Sequence, residues 1–344
     1  MSLTLETHRA AAREMFLAGC GHAGQRLHAL PADASARRYF RLEGQGLLLM
    51  DSPPGAEPLM PYLQVAQLLR GCGLSAPKVL ASDIELGLAL VEDFGHATYT
   101  RLLATGHDEE ALYRLAVDAL VRLHRAGPQA ADGVPAYDGR KLDEEAALFI
   151  DWYAPLLVGE QAAARLRGAY LDAFATACRE VALCREVLVL RDYHVDNLML
   201  LEGREGVAAC GLLDFQDALC GSPAYDLMSL LEDARRDVPE ALRASLLTHY
   251  LDQRPEVDGR RFMADYQALA AQRHAKVLGI FVRLARRDGK LGYLDHLPRV
   301  LRLFREALDR PVLHPLRDFL DCNLAPWRDE LPAAALDALR EPIL

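Results

Sequence analysis

Asp192, Asn197 and Asp214 are the side chains whose types and spacing point to chemistry. They lie in the run VLVLRDYHVDNLMLLEGREGVAACGLLDF, residues 187–215. The β-branched apolar stretch Val187–Leu190 predicts a strand that delivers Asp192. Leu198–Leu201 and Val207–Leu213, joined by the turn formers of 202–206, predict a hairpin. A hairpin brings its ends together, so Asn197 and Asp214 become neighbours although 17 residues separate them. Two carboxylates and an amide offer hard oxygen donors, which suit Mg²⁺ with substrate phosphates completing its shell. The remaining carboxylate can accept a proton from a hydroxyl nucleophile. That division of labour is what phosphoryl transfer requires. Each residue taken singly also fits a turn. The alternation Asp192, His194, Asp196 also fits a metal hydrolase, but no second histidine cluster completes such a site.

The elements around this segment fall into two groups. Up to residue 95 the pieces are short. Arg37–Glu43 and Gly46–Asp51 read as a hairpin turning at residues 43–46. A helix over Leu59–Arg70 and strands at Lys78–Ala81 and Gly87–Val91 follow. Gly71-Cys72-Gly73 follows the helix and reads as its C-terminal cap, not as a phosphate loop. Met1–Gly19 is an amphipathic helix with Glu6, Arg9, Arg13 and Glu14 among its apolar residues, not a signal peptide. From residue 96 onward helices dominate: Asp108 caps one running to Arg125, and 143–157 and 160–182 are further helices. Ser222-Pro223 reads as the N-cap and first residue of another. No internal repeat is visible.

With these residues in place, a resemblance emerges. Asp-x₄-Asn, a hairpin and then Asp-Phe resembles the catalytic loop and metal-binding aspartate of protein-kinase-like enzymes. Residues 192–197, DYHVDN, resemble the Asp-x-His-x-x-Asn of aminoglycoside phosphotransferases and related small-molecule kinases, and 221–227, GSPAYDL, resembles their Gly-x-Pro-x-x-Asp-Leu. DASARRYFR at 33–41 and LFIDWY at 148–153 are similar to bacterial kinases that phosphorylate N-acetylmuramate and N-acetylglucosamine at the anomeric C1 hydroxyl in peptidoglycan recycling. The resemblance spans nearly the whole chain.

It implies an α+β, bilobal, protein-kinase-like fold, with a small β-rich N-lobe over 1–92 and a large helical C-lobe over 93–344. ATP and Mg²⁺ would lie between the lobes. Asp192 would be the catalytic base, Asn197 and Asp214 the metal ligands, and Asp226 a brace for the catalytic loop. Val91–Phe94 would be the hinge, with Glu92, Asp93 and Phe94 near adenine. Ser35 to Arg41 would replace the glycine-rich phosphate loop. Two departures stand out. Leu190 occupies the position where the family often has histidine, and no lysine precedes Lys78 although a nucleotide-contacting lysine is expected near Met50 or Asp51. Arg37, Arg38 and Arg41 are the substitutes, with Arg38 preferred.

The rest of the sequence bounds the reading. The chain has 344 residues and a formal charge of −10, which argues against nucleic-acid or anionic-membrane coating. No apolar run is long enough to span a membrane. Seven cysteines without a Cys-x-x-Cys pair read as reduced thiols in the cytoplasm. A monomer suffices. Trp152 and Tyr153 suit either a sugar face or the core. His194 suits loop packing or substrate contact. Arg235 and Arg236 either complement the end of the helix begun at Pro223 or receive an anionic group such as a lactyl carboxylate. Asp143-Glu144-Glu145 keeps open an aminoglycoside or other small-alcohol kinase, whose acceptor carries ammonium groups. The missing lysine keeps open a silent nucleotide or sugar sensor.

Overall fold

The computed structural model describes residues 3–31 and 36–340. Two compact units are present: Met1–Leu123 with Val195–Ala218, and His124–His194 with Leu219–Leu344. The lobe division read at residue 92 marks the end of a strand, Leu88–Glu92. The compact unit built on that sheet reaches further because Ser75 secures the later hairpin. Leu212 donates its N–H to the Ser75 carbonyl at 2.8 Å, and Ser75 Oγ donates to the Ala208 carbonyl at 2.7 Å.

The first unit holds five strands: β1 (Leu27–Ala29), β2 (Arg38–Leu42), β3 (Leu47–Asp51), β4 (Val79–Asp83) and β5 (Leu88–Glu92). They form one sheet in the order β1-β2-β3-β5-β4, every pair antiparallel. The β2–β3 turn depends on Gly44 and Gly46, whose φ of 71° and 61° would strain other residues. Alternation then sorts the side chains. Leu42, Leu49, Leu88 and Leu90 pack against Leu17 of the N-terminal helix Leu3–Gly19, with Phe40 and Leu47 at the margin. Each such leucine contributes about 1.5–3 kcal/mol. Arg38 and Asp51, directly paired across β2 and β3, share the parity of that face. Tyr39, Arg41, Leu48 and Met50 belong to the other.

Asp51 is 1% exposed and is clamped from the helix. Arg9 Nε reaches Oδ1 at 3.1 Å, and Arg13 Nη1 reaches Oδ2 at 2.8 Å. Near the position where a nucleotide-contacting lysine is expected, this chain therefore buries an acid and balances it with two arginines.

The second unit is built on the 30-residue helix Gly259–Asp288. Asp258 caps its start by accepting from the Arg260 and Arg261 amides, and left-handed Gly289 ends it. It packs against helices Gly139–Leu148, Ala224–Leu231 and Leu297–Leu308. A Cβ on Gly279 would sit 2.1 Å from the Leu148 carbonyl oxygen, so only glycine permits this approach. The segment read as one helix over 143–157 is Gly139–Leu148, a wide π turn over Phe149–Tyr153, and Ala154–Val158. The helix near Pro223 spans Ala224–Leu231 and ends four residues before Arg235. Pro223 holds the N-cap position, and Ser222 Oγ before it accepts the Ala224 N–H at 3.3 Å while donating to Asp265 Oδ2 at 2.8 Å. The six-residue helix Tyr99–Ala104, capped by Thr98, was too short to leave a periodic signal. Among the described residues, no helix is long and apolar enough to cross a membrane.

Candidate active site

Strand Val187–Val189 pairs with Leu219–Gly221 and carries the chain into the Asp192 turn. Asp226, wholly buried, accepts the Leu190 N–H at 2.6 Å and the Arg191 N–H at 2.9 Å. Burial pushes its carboxyl up to about 7, although both amides pull the other way. Leu190 is buried and its amide serves Asp226, so histidine is not needed to secure the strand end. Arg191 adopts φ 71°, and Asp192 follows with its N–H on the Leu190 carbonyl at 2.9 Å.

Cations surround Asp192. Burial pushes its pKa up, but Lys276, Arg273 and Arg191 outweigh that and hold it below the usual carboxylate value. The group therefore stays ionised at neutral pH and can accept a proton. His194 is 4% exposed, and Arg235 Nη1 lies 3.4 Å from its Nε2. Burial and Arg235 lower the His194 pKa, keeping the imidazole neutral.

In the sheet-based unit, Leu198–Leu200 pairs with Cys210–Leu212. Leu213 N–H donates to the Asn197 carbonyl at 3.0 Å, and Asn197 Nδ2 lies 3.4 Å from Asp214 Oδ2. The hairpin thus brings the amide and the carboxylate together. Asp214 takes φ 57° and accepts from Gln216 Nε2 at 2.8 Å. Phe215 is buried and stacks on Tyr62 at 5.0 Å. One amide oxygen and one carboxylate fit an ion that completes its shell with water and phosphate oxygens. Among the described residues, no group of three or more His, Cys, Asp or Glu could hold a metal by itself. The hydrolase alternation loses Asp196 to a hydrogen bond from Thr100 Oγ1.

The arginines divide by face. Ser35 lies outside the described residues. Arg38, the preferred lysine substitute, pairs through Nη1 with Glu6 Oε2 of the N-terminal helix at 2.6 Å. Strand alternation turns it onto the helix face, which corrects that preference. Arg37 is 5% exposed, pairs with Glu57 Oε2 at 3.5 Å and lies 5.7 Å above the Tyr62 ring. It also hydrogen-bonds Tyr39, whose hydroxyl burial pushes up to about 12, with the Asp214 charge adding to the rise. Arg37 is therefore the arginine associated with the Asp214 end of this unit. Arg41 pairs with Asp93 and contacts His96.

At the expected hinge, Glu92 N–H donates to the Lys78 carbonyl at 2.9 Å and Asp93 N–H to the Gly46 carbonyl at 3.0 Å. Those two amides serve the sheet, not a base. The Glu92 carboxylate pairs with Arg204, whose guanidinium lies 5.2 Å over Phe94.

Other expectations are redirected. Tyr153 is 1% exposed and stacks on Phe149 at 5.2 Å, so it is a core anchor and not a sugar platform. Trp152 is half-buried. The charges at Arg235 and Arg236 lie beyond the helix end, so the dipole explanation does not apply to them. Arg235 turns to His194, whereas Arg236 lines a cavity of about 270 Å³ with Asp237, Arg243 and Arg302. Glu145 is buried against Lys276 Nζ at 3.0 Å and against Arg191, and is not an acid offered to ammonium groups.

Sequence reasoning passed over Arg273 and Lys276. Their signal was present: two bases three residues apart, on one face of a helix, inside the apolar stretch 268–285.

Residues 26–266 match the model of the phosphotransferase enzyme family, APH. The chain belongs to that family. This phosphotransferase is 37% identical to an N-acetylmuramate/N-acetylglucosamine kinase of Caulobacter vibrioides, with 93% of this chain and 98% of the relative covered. It is 38% identical to one of Pseudomonas aeruginosa, covering 84% and 86%. Among solved structures it is similar to the GDP and kanamycin complex of APH(2'')-IIia, with a TM-score of 0.61 at 18% identity, covering 86% of this chain and 98% of that one. That likeness establishes the kinase-like α+β fold.

Proposed function

We propose that the chain is an ATP-dependent kinase that phosphorylates the anomeric C1 hydroxyl of N-acetylmuramate and N-acetylglucosamine, in the cytoplasmic recycling of peptidoglycan sugars. The observation that carries this reading is 37% identity to a kinase of that name over 93% of the chain. The seven free cysteines accord with a reducing compartment.

Asp192, kept ionised by its cationic surroundings, orients the sugar hydroxyl and takes its proton as the oxygen attacks the γ-phosphorus, the bond from that phosphorus to the β-phosphate oxygen breaks and ADP leaves. Asn197 and Asp214 would hold Mg²⁺, which would neutralise charge on the phosphate oxygens when bound. Arg37 supplies a fixed cation toward those oxygens in place of the absent lysine, and Glu57 fixes its guanidinium. Arg235 beside His194 offers a partner for the carboxylate that distinguishes N-acetylmuramate.

ADP release from Mg·ATP tests the reading, with N-acetylmuramate, N-acetylglucosamine, kanamycin and choline as acceptors. Release with the two N-acetyl sugars, lost when C1 is blocked as a methyl glycoside, is expected. Release with kanamycin or choline alone overturns the acceptor. ATP binding without release to any acceptor overturns the kinase reading in favour of a sensor.

A further inference from the structure

We propose that Arg273 is a positioning residue for the catalytic loop. It holds the carbonyl of left-handed Arg191 and thereby fixes the direction in which Asp192 leaves the strand. The inference rests on the reading of Asp192 as the base.

Left-handed backbone is costly for a non-glycine residue. Such a conformation persists only where its surroundings over-determine it. At Arg191 they do so from three sides. Asp226 takes the amides of Leu190 and Arg191 at 2.6 and 2.9 Å. Arg273 Nη1 donates to the Arg191 carbonyl at 3.0 Å, and Ser229 Oγ approaches it at 3.5 Å. The Arg191 guanidinium pairs with Glu145, which Lys276 Nζ holds at 3.0 Å and Gln272 Nε2 at 3.2 Å.

Arg273 is itself secured. It is 5% exposed, donates to Tyr225 Oη at 3.0 Å and lies 5.5 Å over that ring. Its other terminal nitrogen, Nη2, stands 3.9 Å from Asp192 Oδ1. That distance is too long for a hydrogen bond. Arg273 therefore lends Asp192 its field without occupying the lone pair that must take the proton. Lys276, three residues along the same helix, spends its ion pair on Glu145.

A purely structural arginine would affect stability alone, so the test reads catalysis separately. In Arg273→Gln, kcat for sugar-dependent ADP release is expected to fall about 100-fold, the penalty for misplacing a reacting group. KM for ATP and sugar should stay within about threefold. The acid limb of the rate profile should move to higher pH, since one cation is lost while Lys276, Arg191, His194 and Asp226 remain. Arg273→Lys should recover part of kcat. A kcat within twofold of wild type and an unmoved acid limb would overturn the proposal. Should Arg273→Gln fail to fold, Arg273→Lys decides. It keeps the charge but not the fork that reaches the Arg191 carbonyl; kcat within twofold of wild type there overturns the proposal and a loss of about fivefold or more supports it. Asp192→Asn, assayed alongside, separates the two claims. Retained turnover in that variant removes the base reading and this inference with it. An inactive Asp192→Asn beside a fully active Arg273→Gln removes this inference alone.

Discussion

Arg191 and Asp214 are the two non-glycine residues with positive φ among those described, at 71° and 57°. They belong to different compact units, and each lies at a centre of proposed chemistry. Their supports differ. Aspartate enters the left-handed region several-fold more readily than most residues, and Asp214 has Gln216 and Asn197 as near neighbours. Arginine has no such tolerance, and Arg191 is fixed through its amide, its carbonyl and its guanidinium by buried partners. The contrast teaches a division of labour. The group proposed to take the proton is aimed by a pre-built buried lattice. The groups assigned to the metal rely on a short hairpin and a residue type that accepts strain.

The largest expected effect breaks the hairpin side. Asp214→Ala should lower kcat by about 10²–10⁴-fold, a magnitude taken by analogy from removal of a proton-transfer group. Raising Mg²⁺ should recover little of it, and the melting temperature should shift by no more than a few degrees. Steady-state kinetics across a Mg²⁺ titration measures this. Unchanged Mg²⁺ dependence with full turnover would remove Asp214 from the metal site.

The second strikes the lattice. Glu145→Ala leaves Arg191 and Lys276 buried without their shared anion, which should cost about 3–5 kcal/mol. Denaturant unfolding should show it. Burial raises the Glu145 pKa, but Lys276 and Arg191 outweigh that and hold it low. A carboxylate depressed in the fold contributes its stability above the unfolded value, near 4.3. That contribution fades as pH falls below it. The variant's stability should therefore vary less than wild type between pH 5 and 2, as about that window follows from the depressed carboxylate.

The third sharpens the comparison within the sheet. Arg37→Ala should raise KM for ATP about tenfold, the equivalent of one charge-assisted hydrogen bond. Arg38→Ala removes a half-exposed ion pair with Glu6. Such pairs are worth about 0–1 kcal/mol, so KM should hold. Reversal of that order would return the role to Arg38.

The smallest concerns the lattice unit away from the loop. His124 is buried on Tyr250 Oη at 2.7 Å, and burial, with Arg254 adding, holds its imidazole down to about 3. The fold thus favours neutral His124, whereas the unfolded value is about 6.5. Its contribution is complete above that value and is lost as pH falls toward 3. His124→Gln should flatten the corresponding part of the melting profile, as measured by thermal scans from pH 7 to 4, about the range in which the unfolded imidazole gains its proton.

Much of the molecule was legible in the sequence, for identifiable reasons. The hairpin over residues 198–212 announces itself by two apolar runs and a glycine-bearing turn, so the proximity of Asn197 and Asp214 followed from local chemistry. Asp226, in the first turn of helix Ala224–Leu231, was legible through the resemblance of residues 221–227 to the family's Gly-x-Pro-x-x-Asp-Leu. Arg38 misled because parity in a strand decides the face, and the register of β2 against the N-terminal helix is a tertiary fact. Tyr153 stayed open between a sugar face and the core because only the fold shows that a wide helical turn places it in the core. Arg273 and Lys276 stayed hidden because their partners lie 82 and 131 residues away in sequence. Only packing joins them.

The central claim is that a carboxylate aimed in advance takes the sugar proton. Asp192→Asn tests it most directly, with ADP release and ATP affinity measured on the same preparation. The account predicts turnover down by about 10³-fold, with the dissociation constant for ATP within threefold of wild type. Turnover within tenfold of wild type would contradict it.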